Sequence, residues 1–433
     1  MRELMNWLSG GSNPDSFPYS EVLAEFHRTG KHFVANELLA LLDQARTASA
    51  APPAGGAAAT TAGEHSSVRF LRNFLDVALD KWDGRYDYQT YLALKLLRMP
   101  RAKFTDDRRV ADPAGMRRQQ DRLYLQLIAD ALAFELAAEA RTTDLLPQQR
   151  PEPALVVKRY RLGIRAASPV LTRLGLSAPV DNPEPAAAAA ALHAVVVADQ
   201  TAAEQRELRL SMLPVYLVHD EYLFIRVLQA YECTFALLAA ELQSTISALA
   251  GGLPRPAANR LAYARDLLNL SSPLFSLMAS MQPESFRTFR VHTEGASAVQ
   301  SRSYKLVESL CRTPEEPRLA SIAYRSVPEV RDRVLAGQPS VEQACRAAVR
   351  AGLLTEPDRR LLDKRMGEFA AALIQWRQTH YRIATRMLGA RSGTGYTEGT
   401  PYLAAVRSIP VFTTDTTTPL PLHRAEPTGG DPE

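Results

Sequence analysis

The stretch DRRLLDKRMGEFAAALIQWRQTHYRIATRMLG, Asp358 to Gly389, decides the fold class. Phe369, Leu373, Trp376, His380, Ile383 and Met387 recur in steps of four, three, four, three and four, which puts all six on one face of an α-helix. Arg377, Arg382 and Arg386 fall off that line. Gly389 is placed to end the helix, and the RSGTGYTEG that soon follows is too rich in glycine to be anything but a loop. The same period runs through SVRFLRNFLDVALDKW, QDRLYLQLIADALAFELAAEA and EYLFIRVLQAYECTFALLAAELQSTISALAGG. Alternating strand patterns are short and scarce. The reading is an all-α fold: a helical bundle in the second half with a helical N-terminal extension.

Composition breaks divide the chain. ARTASAAPPAGGAAATTAGEH, Ala45 to His65, is low in complexity and reads as a flexible linker over residues 45–66. Before it lies a short helical segment, 1–44. After it comes a helical region, 67–204, whose later part carries the Pro- and Ala-rich APVDNPEPAAAAAALHAVVVADQ. Residues 205–410 form the expected functional domain. The Thr- and Pro-rich end, 411–433, reads as disordered.

Apolar residues are 46% of the 433, charged residues 23%, enough for a sizeable core. The net charge of +4 is spread over 51 basic and 47 acidic groups without a basic block, and aromatics are 7%, so a nucleic-acid partner is not expected. Cys233, Cys311 and Cys345 have neither metal-ligand spacing nor a paired pattern. No secretory signal and no run of 18 apolar residues is visible, so the expected setting is the cytoplasm, away from membranes.

His380 is open to two readings. It is either a core histidine satisfied by a neighbouring carbonyl or a ligand to metal or haem iron. With no HxxxH, HExxH or CxxC nearby, a single axial imidazole is the more economical ligand role. The loop SGTGYTEG follows a helix and lacks GK[ST], which argues against a phosphate cradle. It suits either a plain linker or a lid whose donors include Thr394 and Thr397.

Taken together, three ordered blocks resemble tryptophan 2,3-dioxygenase and its superfamily of haem-dependent aromatic oxygenases. HDEYLFIRVLQAYE, His219 to Glu232, is similar to the family's HDE-x-LFI-x-x-HQ-x-x-E helix. MASMQPESFRTFRVHTEGASAVQS, Met278 to Ser301, is similar to its T-x-x-[FY]-x-x-FR segment and following turn. WRQTHYRIATRMLGARSGTGYTEGTPYL, Trp376 to Leu403, is similar to W-R-x-x-H followed by a GTGG loop. A weaker match, YQTYLAL from Tyr88, implies an insertion over roughly residues 97 to 205.

The resemblance implies that 205–410 is a haem domain with His380 as the axial ligand of haem b, Trp376 and Ser301 beside the cofactor, and O2 or peroxide as oxidant. It implies Arg290 on the substrate's carboxylate and Thr394 on its ammonium and carboxylate. Phe224 packs near the substrate ring, on the catalytic side with Leu228, while Tyr88, Tyr91 and Tyr396 also face substrate. The implied assembly is a homo-oligomer, dimer or tetramer. Two departures stand out. Leu228 replaces the family's distal histidine, and Tyr396 replaces the second glycine of GTGG. His292 has no counterpart in the family. These changes favour single-oxygen insertion into a tryptophan- or tyrosine-like ring in natural-product biosynthesis over indole ring opening. A non-enzymatic haem-binding or scaffold protein is the third alternative.

Overall fold

The computed structural model describes residues 1–50, 62–100, 112–389 and 400–413. Among them every regular element is helical, with one isolated bridge between Gln148 and Val218. The axis of the molecule is the helix Asp220–Ala250, which packs on Pro113–Glu139, Pro254–Leu270, Arg302–Cys311 and Val341–Arg350. The long helix Glu356–Leu388 packs on Pro254–Leu270 and carries Thr400–Arg407 against it. The central helix has the length and mean hydropathy (1.4) of a membrane span, yet 83% of its apolar window is buried by these neighbours.

Residues 113–199 fold into three helices, Pro113–Glu139, Pro153–Leu174 and Pro185–Asp199, each opened by a proline whose missing N–H costs nothing at that position. The three pack on one another, Pro113–Glu139 packs on the central helix, and all share its core. The N-terminal helices Arg2–Ser9, Tyr19–Thr29 and Asn36–Ala50 build a separate core with Ala62–Ala78 around Trp7, Phe17, Phe26 and Phe74. That core is closed by Leu210 and Leu213 from the chain just before the central helix. Gly30 sits at the join. At φ 79°, a Cβ there would lie 2.8 Å from the Val215 carbonyl, so only glycine permits this approach. The neighbouring amides of Lys31 and His32 donate to the carbonyls of Pro214 and Val215 (2.8 and 3.1 Å).

The element ends differ from the sequence reading at three places. The third helix runs past residue 44 to Ala50 because ARTASA is Ala-rich, and the next begins at Ala62, before residue 67. At the far end, Val411 is buried and the Thr413 hydroxyl donates to Glu342, so the packed chain extends beyond 410. The linker centre and the terminal tail lie outside the described residues.

The central helix starts on three consecutive buried polar residues, each tied to a different segment. The ring Nε2 of His219 meets Glu135 at 3.0 Å. Asp220 binds Arg159 (2.6 Å) and accepts the Gln282 amide (2.6 Å). Glu221 accepts the amides of Val215 and Tyr216 (2.6 and 3.0 Å) and the Tyr91 phenol (3.3 Å). The HDE of the first block is therefore the anchor of the central helix.

Candidate functional site

One face of the central helix, Phe224, Leu228, Tyr231, Glu232 and Phe235, forms a wall of a cavity of about 240 Å³. These positions are four, seven, eight and eleven residues on from the first, the spacing of a single helical face. Phe224 meets Phe286 and Phe289 of the helix Pro283–Arg290, with ring centroids 5.5 and 5.2 Å away, and Arg290 ends that helix at the cavity. Trp376, His380, Ile383 and Met387 of the long helix supply the opposite side.

The long helix is rotated relative to its sequence reading. Arg377, expected off the buried line, is 4% exposed, with Nε donating to the Tyr304 hydroxyl (2.8 Å) and Nη1 to the Ile409 carbonyl (2.5 Å). Trp376, His380 and Ile383 are half-buried because they line the cavity in place of filling core. Gly389 ends the helix at φ 63°, its amide donating to the Thr385 carbonyl (3.0 Å).

The imidazole of His380 stacks on Trp376, centroids 5.2 Å apart and planes 27° apart. Burial pushes its pKa down to about 4, so the ring is neutral at pH 7 and keeps a lone pair. Among the described residues no side chain or carbonyl hydrogen-bonds to it, and the indole N–H of Trp376 is also buried without a partner. The core-histidine reading, which requires a carbonyl partner, lacks one among the described residues.

Tyr88 and Tyr91 come from the N-terminal region yet line the same cavity. The amide of Tyr88 donates to the Gln300 side chain (2.9 Å), which pins this strap to the turn before Ser301. Ser301 reaches the cavity wall too, but its hydroxyl caps the helix Arg302–Cys311, accepting the Tyr304 amide at 3.1 Å, and donates to Glu232. Burial raises the Glu232 carboxyl above its ordinary range, the Ser301 hydroxyl opposing. His292 points elsewhere. It stacks on Tyr216 (4.5 Å, 30°) and sits by His32 and Phe33, at the join with the N-terminal core. Thr394, Tyr396 and Thr397 lie outside the described residues. Sequence reasoning missed Glu232, Lys305 and Arg377 as cavity residues; Glu232, at the end of the first block and one turn past Leu228, could have been found from the helical period.

No family model matches the chain. It is 29% identical over 224 residues to the tryptophan 2,3-dioxygenase of Anaeromyxobacter sp. (strain K), covering 45% of this chain and 84% of the relative. It is 29% identical over 213 residues to that of Nocardioides sp. (strain ATCC BAA-499 / JS614), covering 43% and 79%. The chain is a divergent member of the tryptophan 2,3-dioxygenase superfamily. The tryptophan 2,3-dioxygenase of Caulobacter vibrioides matches 88% of its own length with 46% of this one, so more than half of the present superfamily member lies outside that match.

The chemistry of the cavity lining suits haem. A neutral imidazole without a hydrogen-bond partner projects into a space walled by aromatic rings, and an unpartnered indole N–H lies beside it. The depressed pKa also sets a pH dependence. The unfolded imidazole protonates near its ordinary 6.5 and the folded one near 4, so the unfolded state binds the extra proton between them. This contribution to apo-protein stability is complete above about pH 6.5 and is lost as pH falls through 4. Thermal melts of the apo-protein between pH 7 and 4 are expected to fall less steeply in His380→Gln than in the wild type.

Proposed function

We propose that this chain oxidises the ring of an aromatic amino acid or a derivative, tryptophan- or tyrosine-like, by inserting one oxygen atom, as a step in making a natural product. In this reading His380 is the axial ligand, Trp376 and Ser301 flank the cofactor, and haem b held there supplies the activation of O2 or peroxide. Phe224 and Leu228 bound the substrate ring. Arg290, by a two-pronged charge-assisted bond, and Thr394 hold its carboxylate, while Tyr88, Tyr91 and Tyr396 shut out water.

One observation carries the reading: His380, Arg290, Phe224, Leu228, Tyr88 and Tyr91, which are scattered over about 290 residues of sequence, line a single cavity. Leu228 favours the single-oxygen outcome, since its apolar side chain offers no partner for an indole N–H. Ring opening with two oxygens is the second reading, favoured by the names of the relatives. The test is the mass of the product from tryptophan and from tyrosine with the haem-loaded protein. A gain of one oxygen is expected; a gain of two would establish the second reading, and no product from either would refute both for the free amino acids.

A further inference from the structure

Part of the cavity wall is cationic. Lys305, on the helix Arg302–Cys311, and Arg377, on the long helix, both line it and are 2% and 4% exposed. Behind them Arg318 makes a two-pronged bond to Glu308 (2.7 and 2.9 Å). That bond leaves the Lys305 ammonium 4.0 Å from Glu308, outside hydrogen-bond reach, resting over the rings of Tyr304 and Tyr324 at 5.2 and 5.6 Å. Among the described residues, the hydrogen bonds of Arg377 go to neutral oxygens, the Tyr304 hydroxyl and the Ile409 carbonyl.

Among the described residues, Glu308 is the carboxylate that acts on all three cations. Two buried cations, Lys305 and Arg377, and the half-buried Arg318 against one carboxylate is an unbalanced arrangement, because a desolvated charge is stable only when paired. Burial pushes the Lys305 ammonium down to about 8, Glu308 opposing and Arg318 and Arg377 adding to the fall. The ammonium is thus still mostly charged at pH 7, with donors to spare and, among the described residues, no carboxylate within hydrogen-bond distance. The cluster is tied to His380 through ring contacts: Lys305 over Tyr304, Tyr304 against Trp376 at 5.7 Å, and Trp376 on His380.

We propose that Lys305, backed by Arg377, is a carboxylate-binding subsite of this cavity, receiving a carboxylate of the ligand that sits against His380. The inference rests on the haem reading. A carboxylate can come from a haem propionate or from the amino-acid substrate; with Arg290 already assigned to the substrate, the propionate is the expected source. One such anion brings the buried charge close to balance, which the protein alone does not achieve.

The test uses the full-length apo-protein titrated with haem and with haem dimethyl ester, which lacks free carboxylates, followed by the Soret band. Wild type is expected to bind haem at least about 10-fold more tightly than the ester. Lys305→Met should reduce that ratio to under about threefold by weakening haem alone, and Lys305→Arg should keep it. Calorimetry of the haem-loaded protein with tryptophan and tryptamine forms the second arm. If Lys305→Met erases a preference for tryptophan and leaves the haem-to-ester ratio intact, the subsite takes the substrate carboxylate. Equal binding of haem and ester by wild type, with no effect of Lys305→Met on the tryptophan preference, overturns the proposal; the wild-type ratio needs no variant to fold. Absence of a Soret band with either compound is a different result, which sinks the haem reading and this inference with it.

Discussion

His380→Ala is expected to leave the protein unable to retain haem: no Soret band after reconstitution and gel filtration, and affinity lowered on the order of 100-fold or more. The reason lies in what the other histidines are doing. His27 Nε2 is held at the Met212 carbonyl (2.8 Å) and His219 Nε2 at Glu135, while His32 lies beside Glu294, with Nδ1 3.2 Å from the carboxylate, and against the His292 and Phe33 rings. His292 is stacked on Tyr216. His380 alone among these faces the cavity. Removing its ring also leaves one face of Trp376 uncovered, a gap of imidazole size at the end of an otherwise formed site. Added imidazole is therefore expected to restore the band in His380→Ala, which separates loss of a ligand from loss of fold. A normal Soret band in the variant without imidazole would show that another residue holds the iron.

The helical period made the cavity face of the central helix readable, because Phe224, Leu228 and Glu232 are four residues apart and no tertiary contact is needed to align them. The His380 stripe was readable for the same reason, though its meaning differed: Trp376, His380, Ile383 and Met387 border a cavity, and Phe369 and Leu373 fill core. Arg377 was not readable. A guanidinium one position from Trp376 looks like a solvent-facing charge until Tyr304 and Ile409, 73 and 32 residues away, supply the acceptors. Lys305 was hidden in the same way. The strap bearing Tyr88 shows the general difficulty, since its position depends on Gln300, 212 residues downstream. Local pattern specifies which face of a helix is apolar; it carries no information on which distant polar atom will satisfy a buried charge.

The segment that sequence matching leaves as an insertion should matter greatly for stability, and Arg159→Met tests this. Arg159 is fully buried on the helix Pro153–Leu174. It binds Glu135 and Asp220 at 2.6 Å each and also donates to the Ser280 carbonyl (3.2 Å). Burial by itself would raise the Glu135 carboxyl; His219 and Arg159 outweigh it and hold the group below the ordinary range. Methionine fills similar space but leaves two buried carboxylates without their shared cation, which costs about 3–5 kcal/mol. A group with a lowered folded pKa contributes stability above its unfolded pKa and loses it as pH falls. The deficit of Arg159→Met in urea unfolding is therefore expected to be largest near pH 7 and to shrink toward pH 4. Arg98→Met, which breaks the exposed pair with Glu207, should change the midpoint little. The effect reaches the cavity as well. Asp220 uses its second oxygen to hold the Gln282 amide, just ahead of the helix that presents Phe286, Phe289 and Arg290. Freed from Arg159, Asp220 no longer fixes that helix, so weaker binding of aromatic amino acids should accompany the lost stability; a variant as stable as wild type would mean the three helices of 113–199 do not buttress the site.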